Sequence, residues 1–234
     1  MRTVKVLGVC FALLAVIMLL GGEAEVWSQT RGTVAVLYLE NNSLMDKASL
    51  DPLQKGLTDM LITELSKIEG LKVVERAKLQ ALVDEQQLGL SGLVDPATAQ
   101  RVGELLGAQT LVMGGFIKGF DGKIRMDVRL VEVETGRTLA TDEETGEPKH
   151  LFRMIEQMSE AIAKDLEVKL TKGDQKRLKE KDNTSFEASV WYAKGLDLED
   201  QGKLEEAARA YEQALKENRA YARAKARLEA LKNR

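Results

Sequence analysis

The sequence predicts an α/β fold, a mixed sheet with covering helices, followed by an all-α segment. Three observations carry this reading. Leu71 to Gly119 holds a strand, two helices and another strand in one continuous piece. Asp121-Gly122 then joins two β-rich runs, and Asp-Gly is among the strongest short hairpin signals. From Ala188 onward the pattern is helical, with tryptophan, glycine, alanine and tyrosine at regular intervals.

At 234 residues the chain accommodates one or two domains. Hydrophobic residues make up 44% and charged residues 30%, a composition that buries a core and argues against disorder throughout. The net charge of −3 argues against nucleic-acid binding by a generally basic surface. Cys10 is the only cysteine and lies in the N-terminal segment; His150 is the only histidine. Ser-His or Cys-His catalysis would rest on that one residue, and nothing around it in sequence supports the chemistry. No catalytic residue, cofactor or metal site is expected.

Residues 1–28 read as a signal peptide. Arg2 and Lys5 supply a positive start, and the apolar run Val6–Leu20 has the length of a secretory core, short of the roughly 20 residues that span a membrane. Cleavage is expected after Ser28, with Ala24 as the second choice. Two other readings are a lipoprotein site at Leu7-Gly8-Val9-Cys10 and an uncleaved anchor, although most of the apolar run follows Cys10.

Residues 29–170 are expected to form the α/β domain. Thr33–Leu39 is an apolar strand, covered on both faces. Glu40-Asn41-Asn42-Ser43 breaks it with turn formers. Asp51-Pro52 starts a helix as cap and first residue, with Leu53, Leu57, Met60, Leu61, Leu65 and Ile68 on its buried face and Gly70 at its end. A strand over Lys72–Glu75 leads into a helix from Arg76 carrying Leu79, Leu82 and Val83. Leu88–Gly92 is a loop. Asp95-Pro96 repeats the cap, Val102, Leu105 and Leu106 form the buried stripe, and Gly107 stops the helix. Gly114-Gly115 points to a bulge or close helix packing rather than a nucleotide loop. The hairpin strands are Thr110–Lys118 and Lys123–Glu134, with Ile124, Met126, Val128 and Leu130 inward and Arg125, Asp127 and Arg129 outward. A shorter strand, Thr138–Thr141, precedes a solvated turn at Asp142-Glu143-Glu144, and Leu151–Leu170 is a long amphipathic helix.

Residues 171–184 are almost wholly polar and read as a linker or solvated helix. Residues 185–234 then resemble a tetratricopeptide repeat plus a capping helix: Trp191-Tyr192, Gly195, Leu198, Gly202, Ala207-Ala208, Tyr211 and Ala214 fall at the required intervals. One repeat cannot bury its own apolar face, so it must pack on the final helix, on the α/β domain, on another subunit or on a partner. The final helix is basic, with Arg223 and Arg227 among its charges, and the preceding helices are acidic. These faces either dock a partner or attract one another.

Residues of about 33–146 resemble the CsgG family, named for a curli secretion component. The matching pieces are Glu40-Asn41-Asn42-Ser43, Val73-Val74-Glu75-Arg76, Leu82 to Gln86, Ser91-Gly92, Leu106-Gly107-Ala108 and Val133-Glu134-Thr135-Gly136. The resemblance implies a periplasmic assembly or scaffold module acting in envelope biogenesis or secretion through protein binding. Its partners would be envelope or secretion proteins or further copies of the chain, with outer-membrane association and no nucleic acid. The alternatives are an oligomeric curli-type secretion channel component and an activator of a cell-wall synthase. The short loops and the charged outer face of Lys123–Glu134 are unsuited to a lipid-facing barrel. The residues with a protein-binding reading are Glu75, Arg76, Trp191, Tyr192, Arg223 and Arg227. For Glu75-Arg76 the choice is between an ion pair across a subunit interface and a simple strand end.

Overall fold

A computed structural model describes residues 32–86, 96–179 and 185–233. The signal-peptide region, Cys10, the Leu88–Gly92 loop and the Asp95 cap lie outside them. The strands β1 (Thr33–Val36), β2 (Glu40–Asn41), β3 (Lys72–Val73), β4 (Thr110–Lys118), β5 (Ile124–Glu132) and β6 (Thr138–Gly146) form one sheet. Its order is β3-β1-β4-β5-β6, with β2 also paired to β4. β1 runs parallel to β3 and β4, and β4-β5-β6 is an antiparallel meander, so the sheet is mixed as expected.

Two stretches that the sequence reads as turns lie in strands. Turn formers predict a break at Glu40–Ser43, but Glu40 and Asn41 pair in parallel with Gly115 and Phe116. The irregularity lies earlier, at Leu37–Leu39. There Thr58 of the neighbouring helix accepts the Leu39 N–H at 3.2 Å, and its hydroxyl lies 3.1 Å from the Leu37 carbonyl. A side chain thus replaces a missing ladder partner. The second difference is β6, which runs on through Asp142-Glu143-Glu144 to Gly146 instead of turning. Successive side chains of a strand alternate faces, so Glu143 lies on one face and Asp142 and Glu144 on the other. Glu143 meets Arg125 of β5 at 2.7 Å, while Asp142 and Glu144 lie beside Asp165 and Arg153 of the following helix.

Nine helices are described: α1 (Lys47–Leu50), α2 (Leu53–Ser66), α3 (Arg76–Glu85), α4 (Pro96–Leu106), α5 (Leu151–Asp165), α6 (Lys172–Leu178), α7 (Phe186–Asp200), α8 (Leu204–Glu217) and α9 (Ala222–Lys232). α1 has no counterpart in the sequence reading. Asp51 does not cap α2; its carboxylate accepts from Asn41 Nδ2 at 2.8 Å and sits 3.2 Å from Lys47 Nζ. On α4 the buried stripe is Ala99, Val102 and Leu106, with Leu105 51% exposed. α5 stops at Asp165, short of Leu170, where Glu167 takes a left-handed conformation.

Each sheet face has its own apolar cluster. α3 and α4 cover one face with Leu79, Val83, Ala99, Val102 and Leu106 against Ala35, Leu37, Leu111, Met113 and Val131. α2 and α5 cover the other, where Ile124, Met126, Val128 and Leu130 point as their alternation requires. That second cluster runs on without interruption into α7, α8 and α9 through Tyr192, Ala193, Leu196, Tyr211, Tyr221 and Leu228. Of the four packing choices open to the C-terminal helices, the chain uses two: they pack on one another and on the α/β core. The crossing is tight. A Cβ on Gly56 of α2 would lie 2.5 Å from the Ala193 Cβ of α7, and one on Gly195 would lie 2.3 Å from the Tyr211 ring.

The polar stretch after Thr171 forms α6, held on the end of α2. Thr171 and Asp174 exchange capping hydrogen bonds, and Asp174, fully buried, also accepts the Glu69 N–H at 3.1 Å. Arg177 pairs with Asp174 and donates to the Lys67 carbonyl at 2.9 Å.

Two outcomes follow. Gly56→Val should lower unfolding free energy by about 1–3 kcal/mol in urea melts, because neither backbone at the crossing can yield. Burial alone would raise the Asp174 carboxyl, but its bonds from Thr171, Glu69 and Arg177 hold it at about 2. Its contribution is therefore present above the ordinary value of 3.8 and lost as pH falls through about 2. The stability gap between the native chain and Asp174→Asn, followed by urea melts against pH, should close over that window.

Candidate functional site

The residues with a protein-binding reading separate into two environments. Arg76, Tyr192, Arg223 and Arg227 turn inward, to a junction where α7 and α9 meet α2 and α3. Arg76, 5% exposed, forms a two-point bond with Asp200, from Nη1 at 2.7 Å and Nη2 at 3.1 Å. Its Nε faces Asp59 at 3.5 Å. Lys55 lies 2.9 Å from Asp197 and 3.0 Å from Asp200. The Tyr192 hydroxyl donates to Asp59 at 2.7 Å, and Tyr211 donates to Glu199 at 2.9 Å. Arg223 donates to Glu64 at 2.8 Å, and Arg227 lies 3.7 Å from Asp59 and 3.9 Å from Glu199.

Among the described residues, bases and acids meet in pairs at this junction. Lys55, Lys67, Arg76, Arg223 and Arg227 face Asp59, Glu64, Asp197, Glu199 and Asp200. Burial raises the Tyr192 hydroxyl above its ordinary value, and the Asp59 charge raises it further; burial and Glu199 do the same to Tyr211. Both therefore stay protonated and donate. Burial works against the Arg76 charge, but its hydrogen bonds to Asp200 and the Asp200 charge outweigh it, so the guanidinium is held charged. Asp197, Glu199, Asp200, Arg223 and Arg227 are thus used within the chain, while Glu205, Glu206 and Lys225 stay exposed, and Arg76 turns to Asp200. Glu75 is exposed at the start of α3 without a side-chain cap bond. Trp191 is half-buried against the core, with the Lys194 ammonium 5.0 Å from its ring centre.

The open charged surface lies elsewhere, on the sheet. α3 and α4 cover only the part of their face around Leu111, Met113, Val131 and Val133. Beyond it, β5 and β6 present Arg125, Asp127 and Glu143 outward. A hollow of about 480 Å³ sits there, walled on one side by Glu40 and Asn42 and on the other by Arg129, Thr141 and Glu143. The two glycines beneath it serve neither a bulge nor a helix. A Cβ on Gly114 would strike the Asp127 carbonyl at 2.0 Å, and one on Gly115 would meet the Asn42 amide at 2.7 Å and the Glu40 carbonyl at 2.8 Å. They let β2 and β5 approach β4 from either side.

Arg125 bridges Asp127 at 2.6 Å and Glu143 at 2.7 Å across the hollow. Arg129 and Glu40 are half-buried on opposite walls and form no ion pair with any described residue. This surface can hold charged groups of a partner through ion pairs and hydrogen bonds. Among the described residues no cluster of three or more His, Cys, Asp or Glu could hold a metal ion. The sequence marks Arg125, Asp127 and Arg129 as outward-facing but carries no sign that helices leave them bare. Lys55, Asp59 and Glu64 had a legible signal: charges among the closely spaced apolar residues of one helix.

Residues 21–126 match the family model described as curli production assembly/transport component CsgG. The matched segment holds β1 to β4, the helices between them and the start of β5. No curated protein matches the chain in sequence. Among solved structures, lipoprotein GNA1162 from Neisseria meningitidis is 14% identical, with a TM-score of 0.41 over 57% of this chain and 99% of that one. The LpoB C-terminal domain from Escherichia coli is 13% identical, with a TM-score of 0.37 over 57% and 93%. The PelC dodecamer from Paraburkholderia phytofirmans is 17% identical, with a TM-score of 0.33 over 59% and 90%. Likenesses at this level say nothing of what this chain binds. Among the described residues no helix is long and apolar enough to cross a membrane.

The two environments should respond differently to substitution. Arg76→Met leaves Asp200 and Asp59 buried without their guanidinium and should cost about 3–5 kcal/mol of unfolding free energy. Arg129→Ala removes a side chain with no described ion partner and should stay within about 0.5 kcal/mol. Chemical denaturation of both variants checks the contrast.

Proposed function

We propose that this chain is a non-enzymatic, exported assembly or scaffold protein of CsgG type, acting in envelope biogenesis or secretion through protein–protein binding. The observation that carries this reading is the family match over residues 21–126, whose members are described as assembly and transport components. The structure adds a means. The C-terminal helices, which we read as of tetratricopeptide type, turn Asp197, Asp200, Arg223 and Arg227 to the chain's own core. The binding surface is then the bare sheet face around Arg125, Asp127, Arg129 and Glu143. The partners are envelope or secretion proteins or further copies of the chain, and residues 1–28 are the export signal.

The test is site-directed photo-crosslinking in the periplasm of a host with an outer membrane. A crosslinker at Thr141, on the open face, should capture one defined envelope protein or a second copy of the chain, identified by mass spectrometry. A crosslinker at Lys225, exposed on α9, is the control and should not capture the same species. Equal capture from both positions, or none from Thr141, would remove this role for the sheet face.

A further inference from the structure

The sheet has two edges and they differ. β3 contributes only Lys72 and Val73. β6 is a nine-residue strand, paired on its inner side with β5 from Ile124↔Gly146 to Val131↔Thr138. On its outer side, among the described residues, no backbone group bonds to it. Such a row of free N–H and C=O groups is a template for another strand. Proteins protect long edges with charged side chains, lysine above all, with proline or with an outward bulge, and acidic charges discourage pairing with any strand but a basic one. Thr138–Gly146 has no lysine and no proline, and its one bulge, at Leu139 between Val131↔Thr138 and Leu130↔Ala140, is confined to its start and leaves Ala140–Gly146 in regular register.

The charges on β6 are all acidic, and they are unequally compensated. On the open face Glu143 is paired with Arg125. On the α5 side Asp142 is half-buried beside Asp165, with Lys164 opposing its charge, and Glu144 is half-buried near Arg153. Burial raises both carboxyls above their ordinary values; at Asp142, hydrogen bonding to Asp165 and its charge add to this. One oxygen of Asp142, Oδ2, is buried without a hydrogen-bond partner. Positive charge is short on that side.

We propose that the outer edge of β6 accepts an extended segment of another protein as an added strand, and that this segment carries lysine or arginine at alternate positions. Backbone bonds to the free edge supply the register. Alternate basic side chains on the α5 side reach Asp142 and Glu144, as opposite charges on neighbouring strands do. A second copy of the chain is a poorer occupant. Antiparallel pairing of β6 with itself would bring Asp142-Glu143-Glu144 against the same acidic run, and like charges in that position repel. The inference rests on the partner-binding reading above and gives that partner a chemistry.

The experiment uses the full chain and three synthetic nine-residue peptides, matching the length of β6: alternating Lys-Thr, alternating Glu-Thr, and Lys-Thr with N-methylated backbone amides. Fluorescence anisotropy reads affinity, and amide hydrogen exchange reads location. The Lys-Thr peptide should bind and slow exchange within Thr138–Gly146, with the Glu-Thr and N-methylated peptides at least about tenfold weaker. The double variant Asp142→Asn, Glu144→Gln should keep its thermal transition and weaken Lys-Thr binding about fivefold or more. Equal binding by the N-methylated peptide, protection confined to other segments, or no binding at all would overturn the proposal. Crosslinks from Thr141 together with no peptide protection of β6 would leave the assembly role standing and remove the edge from it.

Discussion

The helix α2 is buried on nearly every side, and it carries charge. Lys55, Asp59 and Glu64 are all buried within one helix. Placing unpaired charges in a protein interior costs several kcal/mol apiece, so a fold that buries them must bring partners to them. α3 brings Arg76, α7 brings Asp197 and Asp200, and α9 brings Arg223 and Arg227. The C-terminal helices are thereby bound to the core by charge neutralisation as well as by apolar contact. The apolar face of α2 and its charged face have different partners, sheet on one side and helices on the other.

Close packing makes this geometry attainable. Gly56 and Ala193 let α2 and α7 cross near enough for short ion pairs on either side of the crossing. Tyr192 lies 5.8 Å from Tyr211 and 5.2 Å from Tyr221, ring centre to ring centre, and Phe152 of α5 meets Tyr221 edge-on. This aromatic group fills the space between α5, α7, α8 and α9, while the Tyr192 and Tyr211 hydroxyls reach the ionic layer. Interior charges are thus consumed by the fold. Arg125, Asp127 and Glu143, on the bare part of the sheet, stay exposed instead.

The sequence was legible where one signal sufficed. Alternation located the inward face of β5, and the Asp-Gly pair located its hairpin, where Gly122 has φ +78°. Helical spacing found the buried residues of α2, α3 and α5, although Leu105 on α4 shows that a stripe read from spacing can err by one position. Composition misled at the ends of strands. Glu40-Asn41 has the residues of a turn but is paired because β4 offers glycine opposite it. Asp142-Glu143-Glu144 also looks like a turn, yet an edge strand tolerates charge on both of its faces. The charged helix faces could be read as a docking surface or as mutual attraction. Only the chain's long-range contacts reveal that Arg223 and Arg227 turn back to α2, since residue 64 and residue 223 have no local relation in sequence.

If the α2 junction governs the structure, the C-terminal helices cannot unfold apart from the sheet. Trp191 on α7 gives a fluorescence probe once Trp27 is replaced by Phe, and the amides of β4 and β5 give an independent probe by hydrogen exchange in denaturant. The account predicts one transition, with Trp191 fluorescence and the exchange protection of β4 and β5 lost at the same denaturant concentration. Loss of the Trp191 signal at a lower concentration, with the sheet amides still protected, would contradict it and make the helical segment an independent module.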